Sequence, residues 1–65
     1  MLEKTGTVLE KFQSVEVGEP RKSDMHQHSF VGTIIAVLEA RGTVIVEDQC
    51  CQPFEVDADN VTVND

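Results

Sequence analysis

Basic residues are scarce in this chain. Its 65 residues hold five Lys and Arg against twelve Asp and Glu, for a formal net charge of −7. The imbalance is local: residues 1–30 carry four cations and five anions, while residues 31–65 carry Arg41 alone against seven anions. A polyanion would be repelled by that second half, which argues against nucleic acid and against an anionic membrane surface as partners. Long apolar runs are also missing. The longest, Phe30 to Leu38, is broken by Gly32 and Thr33 and is far too short to span a bilayer. Leu2, Glu3 and Lys4 follow Met1, with no signal-peptide pattern, so a cytoplasmic location is expected. Two cysteines allow at most one internal bridge. Tryptophan and tyrosine are absent, and the aromatic content is three Phe.

What is present suits one small β domain over residues 1–65. Val and Ile are prominent within a 40% hydrophobic composition, enough for a folded core. A chain of this length buries only about 60% of its unfolded surface, so its stability margin is thin and oligomerisation is an early candidate for extra burial.

Along the chain, Thr5–Phe12 reads as a first strand, and the alternation of Val15 and Val17 with polar neighbours extends it or pairs separately. Gly18-Glu19-Pro20 breaks regular structure and opens a long polar loop, 18–29, with no apolar period. Phe30–Ala40 is the strongest strand candidate, rich in β-branched residues. Arg41-Gly42 gives a tight turn, and Thr43–Gln49 completes a β-hairpin. Cys50–Pro53 forms the next turn, with Pro53 ending the ladder. Phe54–Asp57 alternates as a strand, Asp57–Asn60 is a short turn of 3₁₀ type, and Val61–Val63 is a last strand. The Gly-Thr-apolar-apolar pattern recurs at Gly6, Gly32 and Gly42, at spacings too irregular for a solenoid.

This order of strand, long loop, long strand, tight turn, strand, short turn, strand, helical turn and short strand resembles the small SH3-like barrel shared by SH3, Tudor and KOW-type modules. The resemblance is topological and covers Thr5 to Val63. It implies a small SH3-like barrel or a strongly bent antiparallel sheet of about five strands. The binding members of that group use several Tyr or Trp residues, which this chain lacks, so their peptide grooves and methyl-lysine cages are not carried over.

Four features could carry function. Strict alternation puts Phe30, Gly32, Ile34, Ala36 and Leu38 on one face of the long strand. Val31, Ile35 and Val37, with Thr33, fall on the other. A single interior covers one face, which leaves Val31, Ile35 and Val37 for the loop 18–29 or for a protein interface, most simply a homo-oligomer. His26 and His28 share a face in an extended segment. With Cys50 or Cys51 they would offer a Zn²⁺ or Ni²⁺ site; the alternative is two solvated histidines and no cofactor. The adjacent Cys50-Cys51 pair lies in an acidic stretch that disfavours a reactive thiolate; the simpler expectation is two reduced thiols, one buried and one exposed. Glu47, Asp48, Glu55, Asp57 and Asp59 form an acidic surface with no calcium-loop spacing. No catalytic motif or phosphate-cradling loop is present, so the balance leans away from an enzyme. The expected function is an acidic protein-interaction module that self-associates through strand 30–38. The alternatives are a decoy or inhibitor of a basic, nucleic-acid-binding protein, and an oligomeric small-ligand or metal-binding protein.

Overall fold

The computed structural model describes residues 8–20 and 26–64. Its regular elements are β1 (Ser14–Val17), β2 (Phe30–Leu38), β3 (Thr43–Glu47), β4 (Pro53–Asp57) and β5 (Val61–Val63). Single 3₁₀ turns at Glu39–Arg41 and Ala58–Asn60 precede β3 and β5. All strand pairings are antiparallel, in the order β4-β3-β2-β1-β5. The two ends of the sheet do not meet, so of the two expected forms it is the bent open sheet that occurs, not a closed barrel.

The first strand lies later than expected. Within the described part of Thr5–Phe12, Val8 makes one isolated bridge and residues 11–12 form a turn; Thr5, Gly6 and Thr7 lie outside the described residues. Gln13 organises this segment: its side-chain amide donates to the Val8 carbonyl at 3.0 Å and accepts from the Glu10 N–H at 2.8 Å. Leu9 turns into the core, 3% exposed. Regular pairing begins only at Ser14, opposite Thr33.

The interior is almost entirely β-branched. Val15, Val17, Ile34, Val44, Val46, Val56 and Val61 are fully buried, with Leu9 and Ala58 beside them. Such side chains have few rotamers to lose and pack well on a pleated surface.

A bulge in β2 decides which residues reach this core. Ile34 pairs with Val46, but the next partners are Ala36 and Ile45, which leaves Ile35 as the extra residue. One extra residue reverses the alternation beyond it. Ile34 and Val37 therefore share the inner face with their partners Val46 and Val44, while Ala36 and Leu38 fall outside, opposite Ile45 and Thr43. The two faces drawn by strict alternation hold up to Ile34 and exchange after it. Val37, expected on the exposed face, packs against the core.

Gly32 permits the close crossing of β2 and β3 near this point. A Cβ there would collide with the Glu47 carbonyl oxygen and lie 2.8 Å from Val46 Cγ1. Gly42 closes the 3₁₀ turn before β3 at φ 70°, a conformation that costs glycine little.

Candidate functional site: an acidic hairpin edge and a buried histidine

The β3–β4 hairpin turns through residues 48–52, and one aspartate shapes it. Asp48 Oδ1 accepts the N–H groups of Cys50 and Gln52, each at 2.9 Å, and its carbonyl accepts the Cys51 N–H at 3.0 Å. Cys51 closes the turn at φ 63°, in the left-handed region. Pro53 does not end the ladder as expected; it opens β4, opposite Glu47. Proline is tolerated there because β4 is an edge strand and this N–H position faces away from β3.

The outer face of this hairpin gathers most of the acidic set. Glu47, Glu55 and Asp57 alternate with buried Val46 and Val56, so their side chains lie outside, around half-buried Ile45 and Thr43. Ala36 and Leu38 extend this face into β2. Glu55 Oε2 takes a hydrogen bond from the Thr43 hydroxyl at 2.7 Å and an ion pair from Arg41 Nε at 2.9 Å. The acidic residues thus have different roles. Asp48 holds the turn and Glu55 is part-neutralised, whereas Glu47 and Asp57 add charge to the outer face. Asp59 lies in the 3₁₀ turn before β5.

The histidine pair does not act together. His26 is 4% exposed, and its Nε2 lies 2.8 Å from the Gly18 carbonyl. A carbonyl only accepts, so Nε2 carries the proton and donates. The ring meets Phe30 edge-on at 5.5 Å and Phe54 at 6.4 Å between centroids. Its Nδ1 is buried and without a hydrogen-bond partner among the described residues. His26 is therefore an anchor that brings the end of the 18–29 segment back onto the core. His28 is exposed and bonds through Nδ1 to the Ser29 carbonyl at 3.0 Å.

Cys50 and Cys51 are both free and both exposed, which corrects the expectation of one buried thiol. Among the described residues, no group of three or more His, Cys, Asp or Glu is placed to hold a metal ion, so the Zn²⁺ or Ni²⁺ set of His26, His28, Cys50 and Cys51 is not assembled. Arg21 and Lys22, in the long loop, lie outside the described residues.

A second anchor ties the chain's two halves together. Asn60 Nδ2 donates to the carbonyls of Gly18 and Glu19, at 3.4 and 3.1 Å, and the Gly18 N–H donates to the Asn60 carbonyl at 2.9 Å. Between the 26–28 segment and the free side of β4 runs an open cleft lined by Gln27, His28, Gln52, Pro53, Phe54 and Glu55.

Sequence reasoning misses Phe12 and Asn60, and takes His26 for a candidate metal ligand where it is a buried anchor. Phe12 projects 76% exposed from a turn at φ 72°, with Lys11 Nζ 5.5 Å from its ring centroid. No local pattern marks it, because it terminates an apolar stretch that reads as a strand. His26 has the appearance of a loop residue, and Asn60 that of an ordinary turn residue; what places both is contact with Gly18, eight residues before His26 and 42 before Asn60. Of the proposed interface, Val31 is 39% exposed opposite Glu16, Ile35 is half-buried at the bulge, and Val37 faces the core. No helix among the described residues is long and apolar enough to cross a membrane.

No protein-family model, curated protein or solved structure matches this chain.

Proposed function

We propose that the chain is a protein-interaction module that contacts a basic partner through the outer face of the β3–β4 hairpin. The observation behind this reading is the composition of that face: half-exposed Ile45, Ala36 and Leu38 set among Glu47, Glu55 and Asp57. An apolar centre with a charged rim is the usual build of a protein contact, and a rim of one sign selects a partner of the other. The same charge repels nucleic acid. Two exposed, unbonded thiols suit a reducing compartment such as the cytoplasm.

The test is affinity isolation with the full chain and with the double variant Glu47→Lys/Asp57→Lys, at low and high salt. Basic proteins held by the wild type, released by salt and missed by the variant support the reading. An identical set of captured proteins for both chains refutes it.

Self-association is a second reading, and a separate observation favours it. The three exposed large hydrophobics among the described residues are Val8 and Phe12, which precede β1, and Val31, on β2 opposite Glu16 of β1. Light scattering of the wild type and of Phe12→Ser/Val31→Ser distinguishes a dimer held by these residues from a monomer.

A further inference from the structure

The register of β4 defines which backbone groups its free edge offers. In an antiparallel ladder, pairs that exchange hydrogen bonds alternate with pairs whose N–H and C=O groups point away. Asp48 N–H donates to the Gln52 carbonyl, and Ala58 N–H donates to the Gly42 carbonyl. Counting inward from both ends gives the same answer: Phe54 and Val56 bond to β3, while Pro53, Glu55 and Asp57 turn their backbone groups outward.

We propose that this edge receives an extended segment of a partner protein as a sixth strand, and that the segment alternates basic with apolar residues. The inference rests on the interaction-module reading and deepens it. Three observations choose the occupant. Among the described residues β4 is the last strand at its end of the sheet. Glu55 offers both a donor and an acceptor, Asp57 offers its N–H while its carbonyl caps the 3₁₀ turn Ala58–Asn60, and Pro53 offers no N–H, so the register is fixed on two residues. The side chains of those two residues are carboxylates on the outer face, and cross-strand neighbours of opposite charge stabilise pairing. Residues between the basic positions point to the other face, toward Phe54 and Pro53 at the wall of the open cleft. Arg41 and Thr43 both engage Glu55 through Oε2. Among the described residues Oε1 is then left for a cation on the incoming strand.

A second copy of this chain is disfavoured as the occupant. Antiparallel pairing of two β4 edges about Glu55 sets Glu55 against Glu55; about Val56 it sets Glu55 against Asp57. Like charges directly opposite destabilise a pair.

The experiment is a titration of the full-length chain with a peptide alternating lysine and valine, and with a scrambled peptide of the same composition, followed by calorimetry and by amide NMR. Asp57 sits at φ −57°, which proline adopts without strain, so Asp57→Pro removes an outward N–H that β3 does not use. Asp57→Asn keeps that N–H and removes the charge. The expected result is at least tenfold tighter binding of the alternating peptide than of the scrambled one, with hydrogen-exchange protection appearing at the Glu55 and Asp57 amides. Binding should weaken a few-fold in Asp57→Asn and at least tenfold in Asp57→Pro, both variants keeping the wild-type circular dichroism. Equal binding of the two peptides, or equal loss in the two variants, overturns strand addition. Salt-sensitive binding of both peptides would still leave a basic-partner surface standing. Concentration-dependent dimerisation abolished by Asp57→Pro overturns the choice of occupant in favour of a second copy.

Discussion

Replacing Cys51 with glycine should stabilise the protein, although it removes a side chain and adds freedom to the unfolded chain. Cys51 stands at φ 63° in the hairpin turn. A residue with a Cβ held in that region is disfavoured by about 1–2 kcal/mol, which glycine avoids. Glycine's extra backbone entropy when unfolded offsets about 0.4–1 kcal/mol of that gain. The Cys51 side chain is exposed and unbonded, so no packing is lost. The turn's hydrogen bonds use backbone groups and Asp48 and survive the change. The net expectation is about 0.5–1 kcal/mol of added stability. For a domain of this size that is a rise of about 2–8 °C in Tm. Thermal melts followed by far-UV circular dichroism under reducing conditions measure it, with Cys50→Ser as a neighbour whose melting point should stay close to wild type. A lower Tm for Cys51→Gly would show that the thiol makes a stabilising contact, and that the backbone argument fails.

Gly32→Ala should destabilise by about 1–3 kcal/mol or more, since its Cβ would press on the Glu47 backbone; chemical denaturation should show a lower midpoint with an unchanged slope. Asn60→Ala leaves the Glu19 carbonyl without its side-chain donor and the Gly18 carbonyl with His26 alone, and should cost about 1–3 kcal/mol; Asn60→Asp, which loses the donor but keeps the volume, should fall in the same direction. Arg41→Gln should change the melting free energy by no more than about 1 kcal/mol, because Arg41 is 68% exposed and water screens its pair with Glu55. Phe12→Gly relieves a left-handed backbone and removes a side chain with little burial, so Tm should rise; a fall would place Phe12 against residues of its own chain.

The hairpin and the last two strands are legible in the sequence because each rests on a local signal. Thr43–Glu47 and Phe54–Asp57 alternate cleanly, Gly42 marks the turn before β3, and Asp57–Asn60 has the composition of a short turn that then forms as a 3₁₀ helix at Ala58–Asn60. The first strand is misplaced by its pattern because Gly6-Thr7-Val8-Leu9 repeats the motif that lies within β2 and opens β3, whereas the residue that starts pairing, Ser14, is polar and follows a left-handed Phe12. Alternation cannot reveal a bulge. Every residue from Ile34 to Leu38 is apolar, so a shift of one position leaves the pattern unchanged while moving Val37 from one face to the other. The acidic residues can be identified in the sequence, but not their division into turn anchor, ion-pair partner and surface charge. That division depends on Asp48 reaching Cys50 and Gln52, and on Arg41 reaching Glu55.

The contact between Gly18 and Asn60 also sets an order of assembly. The β3–β4 turn closes over a handful of residues, and such hairpins form in about 1–10 μs. Pairing β1 with β5 joins Val15 to Val63 across most of the chain, and loop-closure entropy rises with the length enclosed. On loop-closure grounds the β3–β4 hairpin and the β1–β2 pair, which joins Val17 to Phe30, close over short spans, and the β1–β5 pairing that Asn60 secures to Gly18 and Glu19 closes over the longest. Until that last pairing is made, Val61 lacks its place opposite Val17, and the apolar edge of β1 stands open. Six of the seven net negative charges lie on residues 31–65, so any chain caught with that edge open carries like charge that repels its neighbours.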